Sequence, residues 1–110
     1  MESFRVALYK IIGEKIKSKR EELKITQLEL SESLNISRAS VSNIEVGRHQ
    51  IPLVVLYSIS QVLKIDIQEL IPSYKEVSDS IQIFDYIEHI DRSKFDDDEL
   101  DSIKNIIINI

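Results

Sequence analysis

Residues 26–45, TQLELSESLNISRASVSNIE, hold two short apolar-periodic runs separated by Leu34-Asn35-Ile36. Thr26 precedes Glu29 by three residues, the spacing of a capping box, in which the hydroxyl accepts from the helix backbone and the glutamate reaches back to the cap. This predicts a short helix to about Leu34. Asparagine enters the left-handed region cheaply, so Asn35 predicts a tight interhelical turn. Ser37 caps a second helix that ends at Gly47. Within it Val41 and Ile44 are three apart, share one face and pin the helix to a core, which leaves Arg38, Ala39, Ser42 and Asn43 pointing elsewhere. A helix so poor in core-forming side chains is built to show one side to something.

Outward from this pair the chain reads as helical throughout, since sustained β-branched alternation is absent and only Gly13, Gly47, Pro52 and Pro72 punctuate it. A first helix runs from about Phe4 to Leu23, with Leu8, Ile12, Ile16 and Leu23 on one side and Lys15, Lys17, Lys19, Glu21 and Glu22 largely on the other. It tolerates Gly13 at some cost. Pro52 suits the first turn of a fourth helix carrying Leu53, Leu56, Ile59 and Leu63. Asp66 and Glu69 repeat the capping-box spacing, and Pro72 closes the unit. Beyond it Ile83, Phe84, Ile87 and Ile90 predict one short amphipathic helix. Leu100, Ile103, Ile107 and Ile110 predict another, capped by Asp96 and Glu99. The expected fold class is all-α, a five-helix domain over residues 1–72 followed by an acidic helical tail over 73–110. No internal repeat or low-complexity tract is read.

Composition narrows the function. The chain has no cysteine, and its two histidines, His49 and His89, are far apart, so neither a metal site nor a cofactor is expected. Met1 is followed by an amphipathic, charge-rich segment, and no stretch approaches a membrane span, so a cytoplasmic protein is expected. The net charge of −5 is divided unevenly. Residues 1–72 carry ten Lys/Arg and nine Asp/Glu, a net of +1, whereas 73–110 carry four and ten, a net of −6. For a phosphate-bearing partner the local patch matters, not the average.

Two short helices joined by a tight turn, the second exposing small polar residues and an arginine, form the helix-turn-helix layout. The stretch TQLELSESLNISRASVSNIEVGR, with the surrounding chain from about Ile12 to Ile71, resembles the Xre/Cro-type helix-turn-helix family of phage repressors and bacterial regulators. The resemblance implies a lambda-repressor-like domain in which Gln27 binds phosphate and Leu30, Leu34, Val41 and Ile44 are core. It implies that Glu45, Gly47 and Arg48 form the usual Glu-x-Gly-Lys/Arg ending and that Arg20 pairs with Glu45. Leu53, Leu56, Ile59, Leu63, Ile65 and Leu70 match the family's two closing helices. Ser31 stands for the usual alanine and Asn35 for the usual glycine of the turn. Val46 replaces a polar phosphate contact of some relatives, so that contact is not carried over.

The chemistry of the residues agrees with these roles. Arg38, near the helix N-terminus, can donate two bonds to guanine O6 and N7, and Ala39 is small enough to meet a thymine methyl. Ser42 and Asn43 lie further along the exposed face. Thr26, Gln27, Ser40, Arg48, His49 and Gln50 stand at helix starts and in the following loop, where phosphate anchoring is expected. The expected function is a sequence-specific double-stranded-DNA-binding transcriptional regulator, a repressor working as a homodimer on a partly palindromic operator. The alternative is an antitoxin or adaptor whose acidic tail binds a protein partner, with autoregulatory DNA binding. In either case Phe84, Ile87, Ile90, Leu100, Ile103 and Ile107 form an apolar stripe that two short helices cannot bury alone, so a mate is expected. An enzyme is not expected: Ser42 with Glu45, or the acidic run at 96–99, lacks an activating histidine or a second acidic cluster.

Overall fold

Three helices of the protein, those ending before Lys24, Asn35 and Lys64, end where a residue in the left-handed region turns the chain, and the next element has its N-cap two residues later. The computed structural model describes residues 2–89. They form α1 (Glu2–Glu22), α2 (Gln27–Leu34), α3 (Arg38–Glu45), α4 (Leu53–Val62), a 3₁₀ turn (Ile67–Glu69) and α5 (Tyr74–His89), with no strand among the described residues. The connectors LKIT at 23–26, LNIS at 34–37 and LKID at 63–66 are three versions of one device. Lys24, Asn35 and Lys64 have φ of 59°, 57° and 58°. The isoleucine that follows each of them donates its amide to the carbonyl five residues back, at Arg20, Ser31 and Ser60. This is the Schellman closure of a helix C-terminus. Ile25, Ile36 and Ile65 then pack against the core. A repeat is therefore present, at the scale of a turn rather than of a domain, where none is expected from the sequence.

The core is Ile12 and Ile16 of α1, Leu30, Val41, Ile44, Ile51, Leu56, Ile59, Leu63 and Leu70. Each such side chain contributes about 1.5–3 kcal/mol by leaving water. Two expected core positions fall outside it: Leu23 is 40% exposed and Leu53 is 60% exposed. Leu23 is the last residue before the left-handed turn, and the apolar contact at the start of α4 is made by Ile51 in the preceding loop. Ser31 and Ser60 are buried, and each hydroxyl donates 2.7 Å to the carbonyl three residues back, Leu28 and Tyr57. The serine in place of the family's alanine at 31 is thus satisfied within its own helix.

The fifth helix of the domain is reduced to the single 3₁₀ turn at Ile67–Glu69. Pro72 supplies the reason, because it has no amide to donate and its ring disfavours helical geometry at Ile71 and clashes with the carbonyl four residues back. The helix expected near Ile83 begins nine residues earlier, at Tyr74, with Ser73 Oγ accepting from Glu76 N at 3.0 Å. Its first turns lie on α1. Val77 is fully buried, Phe4 and Tyr74 stack with centroids 5.0 Å apart, and Lys15 Nζ lies 3.3 Å from Glu76 Oε2. Pro72 is itself buried, so contacts cross the boundary read at residue 72. Phe84 and Ile87 belong to α5. Ile90, Leu100, Ile103 and Ile107, and the helix expected after Asp96, lie outside the described residues.

Both glycines of the chain sit where α3 meets α1. A Cβ on Gly13 would stand 2.4 Å from the Ile44 carbonyl oxygen and 2.6 Å from that of Glu45. A Cβ on Gly47, at φ +80°, would stand 2.7 Å from Lys10 Cα. Gly13→Ala must therefore push backbone against backbone and is expected to destabilise by about 1–3 kcal/mol. Lys64→Gly is expected to do the opposite, gaining about 0.5–1 kcal/mol, because removal of left-handed strain of roughly 1–2 kcal/mol outweighs the added freedom of glycine in the unfolded chain. Urea melts of the two variants check both signs.

Candidate nucleic-acid interface

The candidate surface is an eight-residue helix, α3, held from behind by its buried side chains. Ser37 caps α3, its Oγ accepting from Ser40 N at 3.0 Å. Val41, Ile44 and Glu45 are buried, Arg38 and Ala39 are exposed, and Ser42 and Asn43 are partly exposed along the same helix. At its C-terminus Gly47 N and Arg48 N donate to the carbonyls of Ile44 and Asn43, the same closure that ends α1, α2 and α4. The chain then leaves through Arg48, His49 and Gln50, all exposed, before Ile51 re-enters the core.

Behind α3 lies a buried ionic cluster. Arg20 Nε donates to Glu45 Oε2 at 2.6 Å and Nη2 donates to Oε1 at 3.0 Å, a two-point fork of guanidinium on carboxylate. Nη1 donates to the Ile25 carbonyl at 2.8 Å, which ties the same arginine to the α1–α2 connector. Gln27 Nε2 donates to Glu45 Oε1 at 3.0 Å. Arg20 and Glu45 are 8% and 3% exposed. Among the described residues no buried side-chain nitrogen or oxygen lacks a hydrogen-bond partner. The bond to Glu45 holds the Arg20 guanidinium above its ordinary range against the opposing effect of burial, with the charges of Glu45 and Glu21 assisting. For the proton on Arg20 itself, with Glu45 ionised, this stability is full below the unfolded arginine range and declines as pH rises through the folded value.

The residues read as phosphate anchors form two groups. Thr26 and Gln27 stand at the start of α2. Thr26 Oγ1 accepts from Glu29 N at 3.0 Å and Glu29 Oε1 accepts from Thr26 N at 3.3 Å, so the capping box is complete. Ser40 shares a 2.8 Å hydroxyl contact with Ser37, and Arg48, His49 and Gln50 lie in the loop beyond α3. The bond from Gln27 to Glu45, which joins an expected phosphate ligand to the buried pair, is not foreseen from the sequence. Nor is the docking of α3 on Gly13 and Lys10, for which the one available signal is a mid-helix glycine in a chain that has only two. Among the described residues no group of three or more His, Asp or Glu side chains is placed to hold a metal ion, and no helix is long and apolar enough to cross a membrane.

Two short helices at a tight turn, the second with its inner face locked and its outer face open, define a helix-turn-helix DNA-binding domain. The helix-turn-helix family model matches residues 16–70, half of the chain, and the protein belongs to that family, of the Xre/Cro type. A curated relative, the immunity repressor protein of Bacillus phage phi105, is 33% identical over 60 residues, which are 54% of this chain and 42% of the relative. The match thus spans less than half the length of that relative. Among solved structures, the restriction-modification controller protein C.AhdI of Aeromonas hydrophila aligns with a TM-score of 0.55 at 22% identity, covering 56% of this chain and 94% of that one. The clp gene regulator ClgR of C. glutamicum aligns with a TM-score of 0.55 at 25% identity, covering 70% and 91%.

The cluster behind α3 makes two predictions. Arg20→Met or Glu45→Leu alone leaves a buried charge unpaired and is expected to destabilise by about 3–5 kcal/mol, whereas the double variant loses far less than the sum. Additive losses in denaturant melts would exclude the coupling. On α1, burial raises the Glu14 carboxyl above its ordinary value, with Lys10 and Lys17 opposing. A raised acid favours the folded state when protonated, so its contribution is present at low pH and declines as pH rises through the folded value. Glu14→Gln is therefore expected to stabilise the protein at about pH 7 and to give no gain near about pH 3, read from melts at both.

Proposed function

We propose that the protein is a sequence-specific double-stranded-DNA-binding transcriptional regulator, a repressor that acts in the cytoplasm as a homodimer on a partly palindromic operator. The observation that carries this is the orientation of α3: Arg38 and Ala39 are exposed at its N-terminal end, while Val41, Ile44 and Glu45 fix its other side to α1 and α2. Base contacts come chiefly from the leading residues of a recognition helix, so Arg38 reads guanine, with Ala39, Ser42 and Asn43 completing the base-facing set. Thr26, Gln27, Ser40, Arg48, His49 and Gln50 hold phosphates on either side. Gln27 has a second amide N–H beyond the one given to Glu45, and that N–H serves the phosphate. One recognition helix covers a single major-groove segment, and two on a dyad, about 34 Å apart, cover successive ones. The acidic tail, with Phe84, Ile87, Ile90, Leu100, Ile103 and Ile107, supplies apolar surface for self-association. Its net charge of −6 favours a second reading, in which the tail captures a basic protein partner and DNA binding is autoregulatory.

Arg38 and Arg48, both exposed, separate base reading from anchoring on this reading. Arg38→Ala is expected to weaken the selected cognate site by about 1–3 kcal/mol and to flatten the preference at one base pair of each half-site. Arg48→Ala is expected to weaken cognate and random duplex alike and to lower the salt slope by about one unit for each phosphate that Arg48 neutralises. Binding isotherms at several salt concentrations, on a site selected from random duplexes and on a base-substituted version of it, distinguish the two. Equal losses for Arg38→Ala on every sequence would make it another anchor.

A further inference from the structure

The family model begins at residue 16, so residues 2–15 of α1 lie outside the part of the chain that it describes. Gly47 rests on the backbone of Lys10, and the exposed residues Arg48, His49 and Gln50 leave from that contact. The loop after α3 therefore runs beside the start of α1. Between the two lies a groove. Glu2, Arg5 and Tyr9, which share one helix face at spacings of three and four, line it with Phe4 and Leu8 on the adjoining stripe and Gln50 from the loop. Phe4 is held in place by its stack on Tyr74 of α5. Arg5 is half-exposed and donates from Nη2 to Glu2 Oε2.

We infer that this groove seats one sugar–phosphate unit of the duplex, with Arg5 binding its phosphate, so that the interface extends past the helix-turn-helix onto α1. The mixed lining favours that occupant. A nucleic-acid backbone sets apolar deoxyribose edges between successive anions, and the groove sets Phe4 and Leu8 beside a guanidinium and an amide. A small inorganic anion would have no use for the apolar wall, and an apolar ligand would have none for Arg5. A guanidinium carries five N–H donors in a fork that fits phosphate, and the bond to Glu2 leaves others to give. That bond is also easily exchanged, since its two side chains are 49% and 74% exposed. Gln50, on the opposite side of the groove, is already among the proposed phosphate anchors.

The inference rests on the DNA-binding reading proposed above and deepens it. The Gly47 turn cannot leave α1 without losing its seat on Lys10. Arg5 and Gln50 therefore approach the backbone as one unit, on the same frame that carries α3.

The test uses the full chain, with the selected cognate duplex and random duplex side by side. Arg5→Ala is expected to weaken both alike and to lower the salt slope by about one unit for each protomer bound, while Arg5→Lys keeps the slope. Glu2→Gln removes the competing carboxylate and is expected to tighten both duplexes by about two- to fivefold. Both positions are on the surface, so helicity and melting of these variants should match the wild type. Phosphate ethylation locates the contact: one phosphate of each half-site whose ethylation hinders the wild type should no longer hinder Arg5→Ala. The inference is overturned if Arg5→Ala keeps the wild-type slope and ethylation pattern, or if its loss is confined to the cognate site. Arg48→Ala separates the two failures. A slope that falls for Arg48→Ala and not for Arg5→Ala leaves the DNA-binding reading standing and removes this one, whereas a wild type that binds no duplex removes both.

Discussion

The carboxylate of Glu45 is the point on which the arrangement of the first three helices depends. It terminates α3, takes two bonds from Arg20 of α1 and one from Gln27 at the start of α2. Arg20 in turn holds the Ile25 carbonyl in the connector between α1 and α2. A single buried anion thus sets the distance between three helices that hydrophobic contact alone would allow to slide. The apolar residues of α3 are only Val41 and Ile44 on its inner side, too few to fix its pitch. Burying such an anion is unfavourable unless every lone pair is used and the geometry is tight. Here Arg20 supplies a planar fork, which a lysine could not.

The two glycines act at the same joint. Removing their Cβ atoms lets the last carbonyls of α3 approach α1 at Gly13 and lets the turn at Gly47 lie on Lys10. The ion pair and the backbone approach depend on each other, because the fork reaches Glu45 only if α3 sits that close. This accounts for a glycine in the interior of a 21-residue helix, where its intrinsic cost is about 1 kcal/mol.

Much of this was legible from residue types. Thr26 with Glu29 and Ser37 announce helix starts because a hydroxyl at a cap has few better uses, and Asn35 announces a turn because few residues accept its φ of 57°. Lys24 and Lys64 adopt the same conformation and announced nothing, since lysine has no preference for it. In the LKI connectors the turn is imposed by the isoleucine that must return to the core, and the lysine bears the strain. The extent of α5 was hidden for a related reason. Val77 is an isolated apolar residue among Ser, Lys, Glu and Asp, and its burial depends on α1 lying beside it, which no local pattern encodes. The reduction of the fifth helix to one turn could have been read from Pro72, whose effect reaches four residues back. The site residues divide the same way: exposed positions on α3 follow from periodicity, whereas Gln27 meets Glu45 only through tertiary packing.

Rigidity behind the recognition helix has a consequence for how few residues need to read sequence. Association loses free energy whenever side chains or loops must be ordered at the interface, and a helix already fixed by a fork, two close backbone approaches and a closed C-terminus has little left to order. The chain's outward face can then be made of small groups, Ala39, Ser42 and Asn43, with one long side chain at Arg38. Their positions relative to Thr26, Gln27 and Arg48 are set by the same Glu45 that holds α1, α2 and α3 together. On the proposed reading, displacing α3 by a fraction of a helical turn would move every proposed reader relative to every proposed anchor at once. Discrimination between bases would then reside as much in the buried pair as in the side chains that face outward.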